Sequence, residues 1–242
     1  MKRIVKVLCL TAIVISFGTA VQAQSYIRQS VYLNGIIPTG DFASSASANP
    51  LSTTGVPLTY TEIGKDASVG FGLGYRVSYR FDVGVGLVAP FANVDLLWNT
   101  IGNGWSDKYS DAYYTTPTYF NVPLMAGISY IYDELPWEDI SAYGEFGIGT
   151  DFLWITPEGG NDKNTGANEE YAYKANFAFA WMLGVGAYFG EHVSAGFYYY
   201  GLGTHNIDYT QHTLDEHNTP ATSLQRERRS VGSVTLRIGF HF

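Results

Sequence analysis

Val231-Gly232-Ser233-Val234-Thr235-Leu236-Arg237-Ile238-Gly239-Phe240-His241-Phe242 closes the chain with strict alternation. Gly232, Val234, Leu236, Ile238, Phe240 and Phe242 fall on one face, and Ser233, Thr235, Arg237, Gly239 and His241 on the other. Side chains of an extended chain point to opposite faces with period two, so this spacing predicts a strand with one apolar and one polar side. A soluble sheet would solvate its polar side with charge. Here that side is built from Gly, Ser, Thr, a single Arg and a terminal His.

Working back from this segment, the same pattern recurs. Residues 173–189 set Phe177, Phe179, Trp181, Leu183 and Val185 against Asn176, Ala178, Ala180, Gly184 and Gly186. Residues 67–81 set Val69, Phe71, Leu73, Tyr75, Val77 and Tyr79 against Gly70, Gly72, Gly74, Arg76 and Arg80. Residues 120–130 and 140–154 alternate likewise, and 26–37 and 193–206 do so more weakly. Residues 83–98 change face around Pro90, which predicts a β-bulge there. The reading is therefore all-β: about eight strands forming a single antiparallel up-and-down barrel.

The connections alternate in length. Residues 38–66, 99–116, 155–172 and 205–230 read as long polar loops; 81–82, 133–139 and 190–192 read as short turns. An even strand number with short turns at one end and long loops at the other is the rule for bacterial transmembrane barrels. No apolar run is long enough for a spanning helix, which needs about 20 residues. Strands can cross lipid only when every backbone group is paired, so the sheet must close.

The N-terminus points to export. Lys2, Arg3 and Lys6 precede an apolar run over residues 7–17, and Val21 and Ala23 occupy the positions a signal peptidase reads. Residues 1–23 are thus expected to be a signal peptide and residues 24–242 the barrel. Cys9 is the sole cysteine and lies in the segment to be removed. The formal charge of −8 becomes −11 in the mature chain, with eleven basic against twenty-two acidic residues. Nothing in that balance suits nucleic acid.

The parity argument assigns an interior ionic set. Arg28, Arg76, Arg80 and Arg237 share the polar parity with Glu145 and Asp151. An Arg facing lipid at mid-depth costs about 2–4 kcal/mol, so all six are expected to point inward and pair. Tyr79, Phe81, Tyr130, Tyr132 and Trp137 at the short-turn end, and Trp98, Trp154, Tyr171 and Tyr173 at the loop end, are expected to form interfacial girdles. His205, His212, Asp215 and His217 share one loop, but their spacing is irregular for a metal site. No nucleophile motif accompanies them or Ser223. The acidic pairs Asp107/Asp111 and Glu169/Glu170 read as solubilising loop charges. The reading is of no enzyme, no cofactor and no metal.

These features together resemble the small outer-membrane barrels of the OmpA-transmembrane-domain and OmpX type. Leu33-Asn34-Gly35-Ile36-Ile37-Pro38-Thr39-Gly40-Asp41-Phe42 is similar to the first strand and loop entry of outer-membrane β-barrel domains common in Bacteroidetes. The resemblance implies an outer-membrane location with lipid around the barrel. It also implies insertion by the barrel-assembly machinery, with Phe240 and Phe242 as the C-terminal signal. The role expected is structural or surface-interacting, with a filled lumen. The alternatives are a narrow transporter for a small or hydrophobic solute, or an accessory barrel docking through Glu134-Leu135-Pro136-Trp137-Glu138; a lipid-modifying enzyme is the weakest of these.

Overall fold

The computed structural model describes residues 27–44, 65–101, 112–115, 117–137, 139–162, 168–214 and 220–242. Residues 1–23, expected to be a signal peptide, and with them Cys9, as well as Asp107, Asp111, Glu138, Asp215 and His217, lie outside the described residues.

The strands are β1 (Ile27–Thr39), β2 (Gly70–Tyr79), β3 (Phe81–Asp82), β4 (Leu87–Thr100), β5 (Ala112–Thr115) and β6 (Thr118–Tyr132). They continue with β7 (Ile140–Ile155), β8 (Glu158–Asp162), β9 (Asn168–Tyr173), β10 (Asn176–Phe189), β11 (Val193–Leu214) and β12 (Pro220–His241). Eight of them form a ring in the order β1, β2, β4, β6, β7, β10, β11, β12, every neighbour antiparallel. The ring closes where β1 pairs β12, from Ser30↔His241 to Thr39↔Gly232. Closure leaves no long sheet edge in the barrel wall, which is what makes such a wall compatible with lipid.

The two faces separate by parity. Phe71, Leu73, Ile128, Phe146, Ile148, Phe179, Leu183, Leu236 and Ile238 are exposed on the outside, while Asn34, Arg76, Asn93, Asp95, Glu145, Asp151 and Arg237 are buried inside. Outside, rings run continuously across four strands, Phe71–Trp98 at 4.8 Å, Trp98–Phe120 at 5.6 Å and Phe120–Trp154 at 5.1 Å. Phe120 and Tyr130, ten residues apart on β6, mark the aromatic ends of the band. At about 3.3 Å per residue and a strand tilt of about 40°, they are about 25 Å apart along the barrel axis. Tyr171 does not join this girdle: it is buried and packs on Tyr209, ring centroids 5.4 Å apart.

Three local expectations change. Pro90 makes no bulge; β4 keeps one register with β6 on both sides of it. The ladder between β2/β3 and β4 skips the positions opposite Ala89 and Pro90, so the missing proline N–H falls in a gap. The bulge lies instead in β11, between Gly201 and Gly203. The first short turn lies at residues 83–86 rather than 81–82, held by Val83 N–H donating to Gly86 O at 3.0 Å.

The last long loop is mostly strand. β11 and β12 stay paired out to Leu214↔Pro220, and β9, β8 and β5 add on in turn to make a sheet beyond the ring. Outside the apolar band no face has to be hydrophobic, so period-two hydrophobicity fades while the hydrogen-bonded ladder continues. Where this sheet leaves the barrel, Asp41 accepts hydrogen bonds from Ser230 N–H and Oγ–H, both 2.9 Å, which hold its carboxyl below the usual range.

Gly203 is in the left-handed region with φ of +88°, and a Cβ there would run into the Phe179 carbonyl oxygen. Gly203→Ala is expected to destabilise the barrel by about 1–3 kcal/mol, measured by equilibrium unfolding in lipid vesicles. A neutral result would mean that β11 can shed its bulge.

Candidate functional site in the barrel lumen

Alternation on β2 and β7 aims Arg76 and Glu145 inward from nearly opposite walls, three strand steps apart in the ring. Arg76 donates to both carboxylate oxygens, Nη1 to Oε2 at 2.7 Å and Nη2 to Oε1 at 2.5 Å, and the side chains are 3% and 0% exposed. The Phe91 ring lies 3.9 Å from the guanidinium carbon. Gly184 makes room for the pair, since a Cβ there would strike the Tyr198 ring and approach Glu145 Cγ to 3.2 Å.

A second cluster joins β12 to β4. Arg237 Nη2 lies 3.1 Å from both oxygens of Asp95, and its Nε donates to Asn34 Oδ1 at 3.0 Å. Asp95 also accepts from Tyr200 Oη at 2.9 Å and Asn93 Nδ2 at 2.6 Å. Arg237 donates to the Tyr200 hydroxyl as well, and it packs over the rings of Tyr198 at 4.2 Å and Tyr32 at 4.5 Å. Buried charges are tolerated only when paired and hydrogen-bonded in this manner.

Toward the loop end, Asp151 on β7 faces His205 on β11, with Oδ2 3.1 Å from Nε2 and both side chains fully buried. The same nitrogen lies 3.0 Å from Leu202 O, and Nδ1 lies 3.2 Å from Asn176 Oδ1. Toward the short-turn end, His241 sits between Ser30 Oγ at 2.6 Å and Ser194 Oγ at 2.7 Å. Arg28 and Arg80 stand near it, over the ring of Tyr188.

The six residues expected as one ionic set are therefore divided. Arg76 meets Glu145, but Arg237 takes Asp95 and Asp151 takes His205. Arg28 and Arg80 make no ion pair among the described residues. Asp95 is not among the six, although its alternation with Val94, Leu96 and Trp98, all beyond Pro90, places it inside. His205 was hidden because the Gly201/Gly203 bulge reverses parity after Tyr200. His205 and His212 do not converge: the first is buried, the second exposed beside Thr222 Oγ1 at 3.1 Å. Phe240 is exposed on the outer face and Phe242 half-buried at its foot.

A closed ring of eight antiparallel strands, apolar outside and charged inside, is the inside-out architecture of an outer-membrane-type β-barrel. No protein-family model matches the chain, and no curated protein does. Among solved structures it is similar to a major outer membrane protein from Thermus thermophilus, at 11% identity and TM-score 0.47, over 89% of this chain and 99% of that one. It is also similar to the outer membrane protein OprG from Pseudomonas aeruginosa, at 12% identity and TM-score 0.43, over 90% and 95% of the two chains. Ail, the attachment invasion locus protein of Yersinia pestis, matches at 12% identity and TM-score 0.39, over 90% and 100%. Likeness at these values carries no weight beyond what the strand ring and its two faces already define.

Proposed function

We propose that this protein is an integral outer-membrane barrel with a structural or surface-interaction role, a lumen closed to solutes, and no covalent chemistry of its own. The carrying observation is the pair of salt bridges Arg76–Glu145 and Arg237–Asp95, with side-chain exposures of 3% or less. Each spans three strand steps of an eight-strand ring, so each crosses nearly the full width of the interior. Eight strands enclose a space that side chains can fill. Lipid is the partner of the outer face, and the barrel-assembly machinery, reading Phe240 and Phe242, is the partner at insertion. The sheet formed by β5, β8, β9 and the outer parts of β11 and β12 is the surface presented to the environment.

Planar-bilayer recording tests this. The expected result is no large, stable conductance. A steady, weakly selective current would open the lumen and favour the narrow-transporter reading.

A further inference from the structure

Each of the three carboxylates buried in the described lumen has one basic partner: Asp95 has Arg237, Glu145 has Arg76, and Asp151 has the His205 ring. Two inward guanidiniums are surplus, Arg28 on β1 and Arg80 just after β2. Both stand over a single ring, with Cζ 5.8 Å and 4.9 Å from the Tyr188 centroid. Neither makes a salt bridge among the described residues, and Arg80 Nε is shielded from water without a hydrogen-bond partner. Glu191 on the neighbouring turn acts on Arg28 electrostatically but not by contact. His241 offers no compensation, because both its ring nitrogens are occupied by Ser30 and Ser194.

Two like charges held side by side in a half-enclosed mouth repel each other, and an aromatic face answers them only in part. An anion between them would relieve both. One carboxylate is satisfied by one guanidinium fork, whereas two forks over one ring, one from β1 and one just past β2, suit an acceptor with several oxygens on different edges. We propose that Arg28 and Arg80 form an anion site at the short-turn mouth of the lumen, taking a phosphate-class oxyanion. That group comes either from a soluble phosphate or from a phospholipid headgroup.

The test uses the full chain folded in phosphate-free amine-oxide micelles, titrated with inorganic phosphate and followed by phosphorus NMR and calorimetry. A parallel arm adds phosphatidylglycerol and reads retained lipid by native mass spectrometry. Saturable phosphate binding supports a soluble source, and retention of phosphatidylglycerol alone supports a headgroup. In either case Arg28→Gln/Arg80→Gln should weaken binding by about tenfold or more, as loss of two charge-assisted partners implies. If that variant does not refold, Arg28→Lys/Arg80→Lys keeps both charges without the forks and should weaken binding several-fold. Absence of both ligands from the wild type, or equal binding by a folded variant, would overturn the site. Binding in micelles does not depend on residence in the outer membrane, so this result is separate from the conductance result.

Discussion

Replacing Glu145 with alanine is expected to destabilise the folded barrel by about 3 kcal/mol, the usual scale for leaving a buried charge without its partner. Arg76 would keep its position between Phe91 and Tyr32, at 3.9 Å and 5.3 Å from the two rings, with no carboxylate to answer it. Asp95, another interior acid, is already engaged by Arg237, Tyr200 and Asn93. Removing both partners is a different experiment. Arg76→Met/Glu145→Leu deletes the desolvation cost together with the attraction, and such swaps are often neutral or stabilising. The single variant should therefore be much worse than the double, as measured by urea unfolding in lipid vesicles with tryptophan fluorescence. Equal losses for both would mean that packing volume, not charge pairing, holds this layer.

Phe179→Arg on the opposite face is expected to cost about 2–4 kcal/mol, the range for Arg near the middle of a lipid-facing band. Phe179 is 66% exposed on β10 and registers with Thr150 on β7, which in turn registers with Leu124 on β6. Leu124 lies between the aromatic ends at Phe120 and Tyr130, so the long Arg side chain has far to reach toward either interface. The control is Leu224→Arg on the outer part of β12, where Leu224 is 75% exposed beyond the ring. That substitution should change stability little, because surface sites away from special contacts seldom do. The same unfolding assay reads both. If Phe179→Arg is tolerated as well as Leu224→Arg, the outer face does not meet lipid and the membrane reading fails with it.

The alternation of residues 231–242 and its repeats made the strands, their two faces and the closed barrel legible from sequence. The reason is local: side-chain direction in a strand has period two, and lipid on one side forces the apolar set outward. By the same rule Arg76, Glu145, Asp151 and Arg237 were assigned inward from their neighbours alone. The rule breaks where a bulge reverses parity, at Gly201/Gly203, and that bulge conceals His205; near Pro90 parity holds, and Asp95 is inward by the same alternation. It also lost the outer parts of β11 and β12, where water on both faces removes the hydrophobic signal but the backbone ladder persists.

The sequence by itself thus determined which residues enter the lumen along most strands. Only the tertiary structure decided their partners: Arg237 with Asp95, Arg76 with Glu145, Asp151 with His205, and Arg28 with Arg80 over Tyr188 without a carboxylate among the described residues. Partners across the lumen come from strands that are not neighbours. Their relative heights are set by the accumulated stagger of every intervening ladder around the ring, and no local pattern carries that sum.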